Sequence, residues 1–255
     1  MAKVLYEVRG HVAVLTLNRP EVHNCVDAET AAGIEAAVDA FAAADEAWVL
    51  VVTGAGGRSF CSGADLEAAP SLLQRTGWER SGPMGFARLD PGKPTIAAVE
   101  GYCFAGGLEL AAWCDFRVAS ENSEFGALNR RWGVPFVDGG TQRFARIMGQ
   151  GNALYLIESG ARLPARRAYE LGLVQEVVPA GQALPRALEL AEAMCAYPQA
   201  SIRADRAATL EFAARGLDAG LLRERELVAP TMGDPEMAAG LERFRAHDRP
   251  EPPAG

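Results

Sequence analysis

The chain has 255 residues, 49% hydrophobic and 23% charged, ample for a sizeable core and compatible with one large domain or a domain with an appendage. A formal net charge of −8 and a pI near 5.1 disfavour a nucleic-acid or anionic-membrane partner. No stretch approaches the ~18 to 20 uninterrupted apolar residues of a membrane span, and the charged, alternating start "MAKVLYEVRG" lacks a leader's apolar run, so a soluble cytoplasmic α/β protein is expected.

In chain order, "VLYEV" and "VAVLTL" read as a hairpin turning at Arg9–Gly10–His11. "NRPEVHN" breaks the second strand, and Asp27 is a natural N-cap for an Ala-rich helix from about 28 to 44. "WVLVVTG" is a buried strand of the parallel-sheet kind, and "GAGGRSFCSGADL" a Gly-rich loop. From about Glu67 to Pro91 the periodicity is weak, with Trp78, Met84 and Phe86 set among Gly, Pro and charges; this is the expected mobile or specificity-setting segment. "KPTIAAVEG" makes a strand, "GGLELAAW" a helix and "DFRVAS" another strand. "TQRFARIMG", "QGNALYLIESG" and "ARRAYELG" are helical, "LVQEVVP" is a last strand, and helices are expected over 182–196, 199–215 and 217–228. "DRPEPPAG" reads as a frayed tail. Strand–helix alternation followed by helices predicts an α/β core with a C-terminal helical module.

The chemistry narrows by elimination. "TGAGGRSFCSG" fails the dinucleotide pattern, having Ser59 where the third glycine belongs, and lacks the Gly-Lys-Ser/Thr ending of a P-loop. His11, His23 and His247 are the only histidines, no GxSxG elbow presents a serine, and no HExxH or ligand cluster suggests a metal. Cys25, Cys61, Cys103, Cys114 and Cys195 occur singly and read as reduced thiols packed as small apolar residues. What remains is a carboxylate beside a Gly-rich turn. In "GYCFAGGLELA", Gly106 and Gly107 stand where a helix begins with its first N–H groups unpaired, and Glu109 follows among apolar neighbours. Its ordinary role would be a solvent-facing Glu complementing the helix dipole, but neighbours that read as buried argue for a desolvated carboxyl with raised proton affinity.

These residues carry a resemblance. "FCSGADL" at 60–66, "GYCFAGGLELAAWCD" at 101–115, "EFG" at 124–126 and "GGTQRFARIMG" at 139–149 resemble, in order and spacing, the crotonase superfamily of enoyl-CoA hydratases and isomerases. "VAVLTLNRP" and "ARRAYELGLVQEVVP" match as well, so the resemblance spans roughly residues 4 to 200 and, more loosely, the tail.

The resemblance implies a crotonase-like ββα spiral core over 1–195 and a C-terminal α-helical trimerisation region over 196–255, assembled as a homotrimer or a hexamer of paired trimers. It implies an acyl-CoA thioester as substrate, with no metal or redox cofactor, coenzyme A being part of the substrate. The backbone N–H groups of Ala64 and Gly106 would form an oxyanion hole for the thioester enolate, each such donor worth ~3 to 4 kcal/mol in the transition state. Ala64, Asp65 and Leu66 would line the coenzyme A groove, and Phe244 could close it. Family hydratases use two glutamates; Glu109 falls on the first, but Asn129 stands where the second belongs, and an amide has no accessible proton-transfer pKa. Asp138 is the natural substitute, although other members place an acidic residue one position earlier, at Val137 here; the competing reading is an Asp capping the helix near Thr141. Arg130 or Arg131 could pair with Asp138 or with an acidic acyl tail, or lie at the surface. The expected reaction is hydration of a 2-enoyl-CoA to the 3-hydroxyacyl-CoA, with Glu109 as main acid/base, Asp138 as second group and Asn129 orienting water or substrate. The alternatives are a double-bond isomerase and a non-catalytic acyl-CoA-binding protein.

Overall fold

Strands with both faces buried dominate the centre of the chain, and their alternation shows what each face meets. In β3 (Val49–Gly54), Val49 and Val51 join one apolar cluster and Leu50 and Val52 another, on the opposite side of the sheet. The computed structural model describes residues 2–75 and 78–211, with isolated positions 226, 235 and 239 beyond. β3 is flanked by β2 (Val12–Leu17) and β5 (Thr95–Val99) in a six-stranded sheet ordered β1 (Val4–Arg9), β2, β3, β5, β7 (Phe116–Ser120), β10 (Glu176–Val178). Only the β1–β2 hairpin is antiparallel; the other pairings are parallel.

A second sheet holds four strands of three residues each: β4 (Ser59–Cys61), β6 (Tyr102–Phe104), β8 (Glu124–Gly126) and β9 (Arg162–Pro164). The chain climbs as a spiral in which a long strand of the first sheet is followed by a short strand of the second: β3 then β4, β5 then β6, β7 then β8. β4 and β6 fall inside stretches that read as a Gly-rich loop and a turn, and β8 and β9 inside stretches to which the sequence assigns no element, because three residues are too few to display a period of two.

α1 (Ala28–Ala43) starts as expected: Asp27 accepts the Thr30 N–H at 2.8 Å and the Thr30 hydroxyl at 2.7 Å. Its Ile34, Val38 and Phe41 pack into the larger cluster, while α8 (Ala183–Cys195) covers the sheet's other side with Ala187, Leu190 and Ala191. The segment expected to be irregular contains α2 (Ala69–Leu73) and α3 (Trp78–Ser81), and it delivers Met84 and Phe86 into the core. The remaining helices are α4 (Gly106–Trp113), which follows β6, α5 (Gly140–Met148) and α6 (Gln150–Ser159), which lie between β8 and β9, and α7 (Ala165–Glu170) and α9 (Gln199–Glu211) beyond β9. The helix expected over 217–228 and Phe244 lie outside the described residues. No helix among the described residues is long and apolar enough to cross a membrane.

Candidate active site

Two turns of the spiral abut. At the first, β4 runs into Gly63 and Ala64; at the second, β6 runs into Ala105 and α4. Gly63 has φ +101°, and a Cβ there would lie 2.9 Å from both the Ala105 Cβ and the Gly106 nitrogen, so only glycine lets the turns meet. Ala105 adopts φ 51°, ψ −123°, a strained setting for a residue with a Cβ, held by its N–H donating to the Gly126 carbonyl at 2.9 Å. That strain sets the direction of α4. Gly106 is its first residue, so its N–H has no acceptor within the helix. The main-chain bonds around Ala64 skip its amide: Val26 N–H donates to Gly63 and Asp65 N–H to Val26, both at 2.9 Å. Ala64 and Gly106 line the same cavity, of about 120 Å³. Gly106 also admits Met84, whose Sδ would lie 2.2 Å from a Cβ at that position.

Glu109 stands one helical turn into α4 and is 2% exposed. Its Oε1 accepts N–H bonds from Gly140 at 2.7 Å and Asp138 at 3.0 Å. Burial pushes its pKa up to about 8, the Asp138 charge adding to the rise while the two amides and Arg143 oppose it. The sequence-based expectation of a desolvated carboxyl therefore holds.

Asp138 is 1% exposed, and its Oδ1 accepts the Met84 N–H at 3.2 Å. It does not cap α5: the N-cap position is Gly139, no side chain bonds there, and the first N–H of the helix goes to Glu109. Burial raises its pKa to about 6, against the Met84 amide and the charges of Arg88, Arg143 and Arg75. Asn129, 6% exposed, lies in the 3-10 turn Leu128–Trp132 and lines the cavity with both carboxyls. Its Nδ2 donates to the Val134 carbonyl at 2.8 Å, and its buried Oδ1 finds no partner among the described residues. The reverse amide orientation would set oxygen against an oxygen that already accepts from Arg130. Asn129 thus carries an unpartnered acceptor at the cavity wall.

The other expectations divide. Leu66 lines the cavity and is 47% exposed; the Asp65 carboxylate is engaged by Arg19 at 3.0 Å. Arg130 donates to Val134 and lies over the Phe136 ring, and the cations acting on Asp138 come from elsewhere, chiefly Arg88, Arg143 and Arg75. Sequence reasoning passed over Arg143. One signal was available: a cation in the opening turns of a helix opposes the dipole and calls for nearby anions.

With this geometry in view, the family comparison is decisive: the enoyl-CoA hydratase/isomerase family profile matches residues 7–251. The chain belongs to that family, within the crotonase superfamily. It is 34% identical to a 2,3-dehydroadipyl-CoA hydratase of Escherichia coli, over 98% of each chain, and 38% identical to a mevalonyl-coenzyme A hydratase of Aspergillus fumigatus, over 76% of this chain and 72% of that one. A crystal structure of an enoyl-CoA hydratase from Mycobacterium tuberculosis superposes with a TM-score of 0.92 at 33% identity, covering 98% of each chain. The ββα spiral is therefore the crotonase fold, and the chain is an enzyme of the hydratase/isomerase type.

Proposed function

We propose that this enzyme hydrates a 2-enoyl-CoA to the 3-hydroxyacyl-CoA, with Asp138 in place of the second family glutamate. One observation carries the reading: two buried carboxyls of unequal proton affinity share a small cavity with a fixed, unpartnered acceptor, Asn129 Oδ1. The thioester carbonyl lies against the Ala64 and Gly106 amides. Asn129 Oδ1 accepts one hydrogen of a water, and the Asp138 carboxylate accepts the other. As the water oxygen bonds to Cβ, its proton passes to Asp138 and the π electrons move onto the thioester oxygen as an enolate. Glu109, carrying a proton at neutral pH, delivers it to Cα. Transfer of the captured proton from Asp138 to Glu109 restores both groups, so the protons balance without a further cofactor. Ala64, Asp65 and Leu66 supply the coenzyme A wall, and the active form is a homotrimer or a pair of trimers. An isomerase needs only a base shuttling one proton, and the water-holding acceptor favours hydration.

Glu109→Gln should lower hydration kcat by about 10²–10⁴-fold with acyl-CoA binding retained. The wild-type rate should be bell-shaped, with limbs set by a carboxylate near 6 and an acid near 8. Full activity in the Gln variant would refute the reading. Deuterium uptake at the α carbon without net addition of water would move the assignment to the isomerase, and tight acyl-CoA binding with no turnover to a binding protein.

A further inference from the structure

Arg143 is a half-buried cation beside the site to which the mechanism above gives no work. It projects from the second turn of α5 beside the two carboxyls. Nη1 donates to the Asp138 carbonyl at 2.9 Å and Nη2 to the Ala87 carbonyl at 2.5 Å. No ion pair engages it among the described residues, so its charge is not spent on a bound carboxylate. The two carbonyls belong to separate segments. Ala87 follows the stretch whose Met84 N–H holds the Asp138 side chain, and Asp138 supplies the N–H that holds Glu109. A guanidinium spans two acceptors in a fixed fork, which an ammonium cannot do.

The other charged groups facing the pair are arranged differently. Arg75 is bound to Glu35 at 2.6 Å, Arg88 is exposed, and Cys114 at the end of α4 is a buried thiol pushed far up by desolvation. Burial also lowers the proton affinity of Arg143 itself, which still leaves a guanidinium charged at neutral pH.

We propose that Arg143 is a positioning residue for this site: it clasps the Met84–Ala87 segment to the Asp138 turn and supplies the cation that sets how many protons the two carboxyls share. The rate consequences rest on the hydratase reading; the proton count does not.

The test is titration of the infrared band of the buried protonated carboxyls in the wild type, Arg143→Gln and Arg143→Lys, alongside pH–rate profiles on crotonyl-CoA. In Arg143→Gln the band's midpoint should rise by about one pH unit, and kcat at pH 7 should fall about tenfold with KM little changed. In Arg143→Lys the midpoint should stay with the wild type while kcat recovers only partly, because the charge is kept and the fork is lost. A wild-type midpoint in Arg143→Gln, or a change confined to thermal stability and KM, overturns the proposal. Should Arg143→Gln fail to fold, the Lys variant decides: a midpoint displaced by a unit, or an undiminished kcat, overturns it. If Glu109→Gln leaves turnover intact, the hydratase reading falls, and the infrared midpoints still judge Arg143.

Discussion

Glu109 combines two opposing influences on one side chain: near-complete burial, which disfavours its charge, and two main-chain N–H donors on a single oxygen, which favour it. Burial prevails, and the native carboxyl holds its proton up to about 8. The unfolded chain releases that proton near the ordinary value of 4.5. Between those limits the native state binds more protons than the unfolded state, so this group's contribution to stability is full below about 4.5 and is lost as pH rises toward 8. Asp138, raised to about 6, has the same sign over a narrower window. A glutamine at 109 is neutral at every pH and can accept the same two N–H bonds. Glu109→Gln should therefore match the wild type at pH 5 and exceed it at pH 8, by an amount on the order of 1 to 4 kcal/mol. Urea unfolding of both proteins at the two pH values measures this, and parallel pH dependences would mean that Glu109 is ionised in the native state. The stability given up near neutrality is what a proton donor to carbon requires.

The elements differ in how they announce themselves. α1, β3 and α8 were legible because each is long enough to display its apolar pattern, and α1 carries a side-chain cap besides. β4, β6, β8 and β9 were not, since three residues cannot. Glu109 stood out as a charge in an apolar run. Arg143 did not, because its work is done on carbonyls of distant segments that no local pattern reveals. The stretch between α2 and β5 is a related case: patternless in sequence, it is held by polar contacts to α1. Arg75 bonds Glu35 at 2.6 Å, the Ser81 hydroxyl at 2.5 Å and the Gly82 carbonyl at 2.7 Å, with its side chain only 7% exposed. Arg80 bonds Glu35 and Asp39, both at 2.6 Å, but is 55% exposed. Removing a buried partner costs up to about 3–5 kcal/mol where it strands the other charge, a loss tempered here because Arg80 and the Ser81 hydroxyl still hold Glu35, whereas an exposed pair contributes roughly 0–1. Arg75→Met should thus destabilise, raise hydrogen exchange across residues 81–87 and lower kcat through the Met84–Asp138 bond; Arg80→Met should do little. Equal effects of the two variants would show that burial does not rank these contacts.

At the scale of the whole molecule, the spiral places the site where two turns and the start of α5 converge, so a single chain carries both carboxyls, the acceptor and both amides. Assembly into the proposed trimer would then be a matter of covering surface rather than of completing the proton chemistry. The described C-terminal elements leave large apolar side chains in water: Leu154 at 42% and Tyr155 at 53% on α6, Tyr169 at 45% on α7 and Leu210 at 52% on α9. Scattered singly such residues need no explanation, but Leu154 and Tyr155 are adjacent in sequence, and burying a side chain of this size is worth about 1.5–3 kcal/mol. The proposed trimer predicts a light-scattering mass of three or six times 27.1 kDa, unchanged on dilution across the micromolar range. Tyr155→Glu, which would bring an uncompensated charge into a covered face, should lower that mass or make it depend on concentration. A wild-type mass of one chain would remove the trimer. A trimer indifferent to Tyr155→Glu would place its interface away from this part of α6.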